Sequence, residues 1–179
     1  MAALLDGSAG RSLIIGVMWS CCFAANGQSN SNAQLGAWLE LDNAVLIQGE
    51  VNDFDSTKHT YRVCDSDDGR SWICMIDEQA WFGSDQGMAL PRNELRSLVA
   101  VIQGDTIALE VSAMFNPNWN NELRPAQFKV DRDGNACMIY AFFSDGAGTY
   151  TAHWRVTDGV AERVVLSNDE RDFEWQLED

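Results

Sequence analysis

Cationic groups are scarce in this chain. Of 179 residues only 12 are Lys or Arg, against 27 Asp or Glu, for a net charge of −15. Lys58 and Lys129 are the only lysines. Such a surface repels phosphate backbones and anionic headgroups, which argues against nucleic-acid binding and docking on acidic lipid. Histidine is limited to His59 and His153, so general acid–base catalysis has few candidates. The sequence contains no Gly-x-Ser-x-Gly, no His-Glu-x-x-His and no phosphate-cradling Gly-rich loop. No Cys/His spacing suits zinc. The chain reads as a non-enzyme with no cofactor and no metal. Proline occurs three times and no Pro- or Ser-rich linker interrupts the sequence, which favours a single domain. With 46% apolar residues, that domain can bury a sizeable core.

Long apolar runs are missing too, with one short exception. Ser12 to Ala25 is uncharged and mostly apolar, follows Arg11, and ends on Ala24 and Ala25. That pattern predicts a secretory signal peptide over 1–25, followed by a flexible polar segment over 26–36 and one β-rich domain over 37–179. The destination is the periplasm or the exterior, with no stable membrane insertion after cleavage. Acylation at Cys21 or Cys22 would make a lipoprotein, but Trp19 and Ser20 make a poor cleavage context. Loss of 1–25 removes one Arg and one Asp, so the acidity belongs wholly to the exported domain.

Strand signals dominate that domain. Ala44–Val51, Thr57–Cys64, Ser71–Ile76, Thr106–Phe115, Gln127–Asp131, Ala136–Phe143, Tyr150–Val156 and Val160–Leu166 are rich in β-branched or alternating residues. Asp-Gly dipeptides at Asp68, Asp133, Asp145 and Asp158 supply turn conformations between them. Leu95, Leu98, Val99 and Ile102 fall at helical spacing after Pro91 and before Gly104, which predicts an amphipathic helix over about 91–103. A short helix near Asp169–Trp175 would take Ser167 or Asn168 as its cap. The expected fold is mostly β: an antiparallel meander or sandwich-like sheet with one packed helix.

Export bears on the cysteines. A hairpin loop of Asp68-Gly69-Arg70 places Cys64 opposite Cys74, where a disulfide would staple the hairpin; pairings with Cys137 compete. The carboxylates of Asp65–Gly69 and Asp131–Asn135 miss the calcium-loop pattern and read as solvated turns. Aromatic residues in loops carry the remaining signal. Trp81 and Phe82 follow the first hairpin, and Trp119 sits between Asn118 and Asn120. Each tryptophan is an interface anchor, a sugar-stacking platform or a lid on the core. The loop of Ser144, Asp145 and Gly146 is small enough to enter a cleft.

These features predict a binder rather than a catalyst. A rigid, stapled, acidic scaffold without catalytic groups suits an inhibitor that neutralises a basic enzyme, such as one that degrades cell wall, by loop insertion. In general character the chain is similar to periplasmic immunity proteins, although no motif carries the likeness. The alternative expectation is a carbohydrate- or envelope-binding domain using the loop tryptophans. The partner expected is a basic protein.

Overall fold

Period-two burial marks Val45–Asp53 and Ala136–Phe143, and the chain folds as sheets. The computed structural model describes residues 37–41, 45–83, 87–119, 122–144 and 146–176. The expected signal peptide, the polar segment 26–36, and Cys21 and Cys22 lie outside the described residues, as do Asn120 and Asp145. Eleven strands follow in order: β1 (Ala37–Leu41), β2 (Val45–Asp53), β3 (Tyr61–Asp65), β4 (Ser71–Ile76), β5 (Gln79–Ala80), β6 (Asn93–Ile102), β7 (Asp105–Leu109), β8 (Phe128–Asp133), β9 (Ala136–Phe143), β10 (Tyr150–Thr157) and β11 (Val160–Ser167).

They form two four-stranded sheets, β1-β2-β6-β7 and β11-β10-β9-β8, and a three-stranded sheet, β3-β4-β5. All pairings are antiparallel. The four-stranded sheets face each other, with β7 beside β11 and β1 beside β8. One core fills the space between them, from Val45, Ile47, Leu98, Ala100 and Leu109 on one side to Ile139, Phe143, Tyr150 and Trp154 on the other. The Trp154 indole N–H donates to the Glu110 carbonyl at 2.9 Å, so the largest core side chain buries no unpaired donor. At one edge Arg163 ties β11 to the segment after β7. Its guanidinium donates to Glu110 Oε2 and to the Ser112 carbonyl, each at 2.6 Å.

The amphipathic helix expected over about 91–103 is instead strand β6. A β-bulge explains why its spacing reads as helical. β6 pairs with β2 through Glu50↔Ser97 and Val51↔Leu95, leaving Arg96 as an extra residue. The inward face therefore runs Leu95, Leu98, Ala100, Ile102, all buried. Its first step is three residues, as on a helix, and the later steps are two. Gly104, expected as a helix stop, follows Gln103 in a two-residue hairpin turn with φ of +93° and +56°. The alternation expected to run to Phe115 also stops early. β7 ends at Leu109, Ala113 takes a φ of +59°, and Met114 rather than Ala113 is buried.

The C-terminal helix forms as a 3-10 helix, Glu170–Gln176, with the Ser167 hydroxyl accepting the Asp169 N–H at 3.0 Å. It covers the outer face of the second sheet. Its Trp175 lies against Tyr140, with ring centroids 5.8 Å apart, and donates to Thr151 Oγ1 at 3.3 Å. His153 Nε2 donates to the Asp172 carbonyl at 3.1 Å. Burial beneath this helix pushes the His153 imidazole below its ordinary range.

β3, β4 and β5 make an arm with a small core of its own. Ile73 and Ile76 meet Phe115, flanked by Phe54, Trp81 and Leu90. A Cys64–Cys74 disulfide crosses it, with Cα atoms 5.7 Å apart. The pairing is the one expected, but the register behind it differs. The loop is Asp67-Asp68-Gly69, closed by a hydrogen bond from Ser66 N–H to the Arg70 carbonyl at 2.8 Å. Cys64 therefore opposes Trp72, and Cys74 is the extra residue of a bulge between Ile73 and Met75. Cys137 is free and buried.

Candidate functional site

Gly83 is the point on which three nominated loops converge. It is buried with a φ of +93°, and a Cβ there would lie 2.9 Å from the Phe115 carbonyl oxygen. Only glycine fits this conformation at this distance without strain. The Gly83 carbonyl accepts two side-chain donors, Asn116 Nδ2 at 3.0 Å and Ser144 Oγ at 3.3 Å. The loops after β5, after β7 and after β9 are thereby knotted to one atom.

Two of the three loops bend through strained residues to reach it. Asn116, Asn118 and Ser144 have φ values of +47°, +56° and +66°. Asparagine tolerates this region because its short amide can bond the backbone locally. In Asn116 the amide bonds distant backbone: Oδ1 accepts the Arg92 N–H at 2.8 Å, while the Asn116 backbone N–H donates to the Asn93 carbonyl at 3.0 Å. Ser144 is buried, and its N–H reaches the Pro117 carbonyl at 3.4 Å. Beneath the knot the Tyr150 hydroxyl donates to the Phe115 carbonyl at 2.9 Å. Burial holds that phenol far above its ordinary range, so it stays a donor.

The nominated aromatics divide. Phe82 is half-buried and stacks on Tyr150 with centroids 6.0 Å apart. Trp81 is half-buried and meets Phe115 edge-on at 5.6 Å. Trp119 is only 5% exposed and lies over Gly49, where a Cβ would fall 2.3 Å from its ring. It is a core side chain, so the surface role expected for it is corrected. A strand glycine facing a loop tryptophan was the available signal. Gly146 and Ala147 form an exposed tip without bulky side chains, beginning a 3-10 turn, Gly146–Gly148.

A histidine clamp that sequence reading missed stands next to the knot. His59 presents Nδ1 to Asp77 Oδ2 at 2.6 Å and Nε2 to Glu94 Oε2 at 3.1 Å. Its ring stacks on Phe54 with centroids 4.6 Å apart and meets Phe115 edge-on. The bond from His59, followed by the Thr60 N–H, holds the Asp77 carboxyl below the usual carboxylate range. Both ring nitrogens are engaged by carboxylates. The clamp joins the arm to β6, and the carboxylates stand on opposite sides of the ring rather than around one ion.

No protein-family model matches this chain, and no curated protein or solved structure is significantly similar to it. The functional reading rests on the site. The knot sets a small exposed tip and two half-buried aromatic rings beside loops hydrogen-bonded to one carbonyl.

Proposed function

We propose that this chain is an exported inhibitor of the immunity type, which neutralises a basic enzyme by presenting the three-loop knot to it. The observation that carries this reading is the convergence of Asn116 and Ser144, from two separate loops, on the carbonyl of Gly83 in a third. Preorganised loops bind without a large ordering cost. The net charge of −15 would speed encounter with a cationic target. The disulfide suits an oxidising compartment. The enclosure of Trp119 removes one of the two platforms on which a carbohydrate reading depended.

The test is inhibition of a panel of basic cell-wall hydrolases at low and high salt. The expected result is tight inhibition that weakens as salt rises, chiefly through slower association. Ala147→Arg, which places a bulky cation on the exposed tip, should weaken inhibition by about tenfold or more, or about 1.4 kcal/mol. If no hydrolase is inhibited, or if salt has no effect, the proposal fails.

A further inference from the structure

Among the described residues, nothing pairs with the outer edge of β3. β3 has one neighbour in its sheet, β4, and no other described strand pairs with it. The Asp77 N–H donates to the Thr60 carbonyl and the Ser66 N–H to the Arg70 carbonyl, so Thr60 and Ser66 face β4. The bulge lies on β4, which leaves the alternation of β3 intact. Tyr61, Val63 and Asp65 therefore turn their backbone N–H and C=O groups outward. Tyr61 and Val63 share one face and are 54% and 42% exposed. An edge of this length that combines open ladder groups with exposed apolar side chains is a template for another strand.

Charge selects the occupant. Asp65, Asp67 and Asp68 stand at the tip of the β3–β4 hairpin, where Arg70 pairs with Asp68 at 2.7 Å. A second copy would bring another such tip and another net charge of −15, which opposes self-pairing. We infer that the β3 edge is a second docking surface, taking an extended segment of a partner protein, apolar beside Tyr61 and Val63 and basic beside Asp65–Asp68, by β-strand addition. This rests on the reading of the chain as a binder of basic proteins.

The test uses the intact domain and two synthetic peptides, Val-Thr-Val-Thr-Lys-Lys-Lys and its counterpart with Glu for Lys, both with blocked ends. Hydrogen exchange is read by NMR. The basic peptide should slow exchange at Val63 and Asp65 by about tenfold when present at about ten times its Kd, and the acidic peptide should not. Val63→Pro removes an outward N–H that β4 does not use, and should abolish the protection. Val63→Lys, which keeps the backbone donor, should weaken it through repulsion. Equal protection by both peptides, protection by neither, or protection produced by raising the protein concentration alone overturns the inference. If the edge fails these tests while the domain still inhibits a basic enzyme through the knot, the inhibitor reading stands. A domain that takes the peptide but inhibits no basic enzyme overturns that reading and leaves the edge standing.

Discussion

In the sandwich of the two four-stranded sheets, Ile139, Phe143, Tyr150 and Trp154 are wholly enclosed. The arm of β3, β4 and β5 buries only Ile73 and Ile76, against a Phe115 that belongs to the knot. The sandwich needs few devices beyond burial, since each enclosed large side chain contributes on the order of 1.5–3 kcal/mol. The arm compensates for its small core with the Cys64–Cys74 bridge, the doubly bonded His59 and the Ser66–Arg70 loop closure. Small apolar cores are commonly supplemented in this way. Two kinds of stability thus occur in one chain, and they should fail under different treatments.

The largest effect should come from emptying the sandwich. Trp154→Ala removes its biggest enclosed side chain and should cost about 3–5 kcal/mol in urea unfolding. A loss that left the sandwich amides protected would contradict the single core. Reduction of Cys64–Cys74, or its replacement by serines, should cost about 2–3 kcal/mol, because the closed loop is short. That loss should be local, with faster hydrogen exchange in β3 and β4 and little change in β9 and β10. Gly49→Ala comes next. Its methyl would displace the Trp119 ring, at about 1–3 kcal/mol, with altered tryptophan fluorescence.

Acid should separate the regions by the smallest but most specific effect. His153, whose pKa is lowered in the folded sandwich, contributes stability fully present above its unfolded value near 6.5. That contribution declines as pH falls below this value, because the unfolded ring takes up a proton first. Asp77, whose pKa is also lowered, contributes stability to the arm that is present above its unfolded value near 3.8. This is lost only as pH falls through the lower folded value. On acidification the C-terminal helix over His153 should loosen before the His59 clamp does. His153→Gln should remove the first step and leave the second, as read by helix and arm amides separately.

Much of the sandwich was legible because alternation and turn chemistry are local. Ala136–Phe143 matches its strand residue for residue, as Ser71–Ile76 does in the arm. The Asp158-Gly159 turn joins β10 to β11 as its dipeptide implied, with positive φ at both residues. The misread β6 shows where local reasoning ends. A bulge is set by the partner strand, so Leu95 and Leu98 look helical until Glu50 and Val51 are placed beside them. The disulfide is a parallel case, with the correct partners reached through a register that the loop does not adopt. At the site, the sequence nominated three loops without indicating that they meet. Asn116 to Gly83 and Ser144 to Gly83 are contacts across distant sequence. The His59 clamp draws Asp77 and Glu94 from two further elements and leaves no spacing to recognise.

Cys137 also gives the molecule a built-in clock. Its thiol is 5% exposed on β9, cross-strand from Arg132 and Val156, and burial raises its pKa above the ordinary thiol range. A thiol reagent can reach it only when the sandwich opens. In excess reagent, the rate at which the peptide carrying Cys137 gains mass therefore reports how often the native sandwich opens, in unaltered protein and without denaturant. Measured with and without a bound target, that rate would show whether occupation of the loop knot slows the opening of the core beneath it.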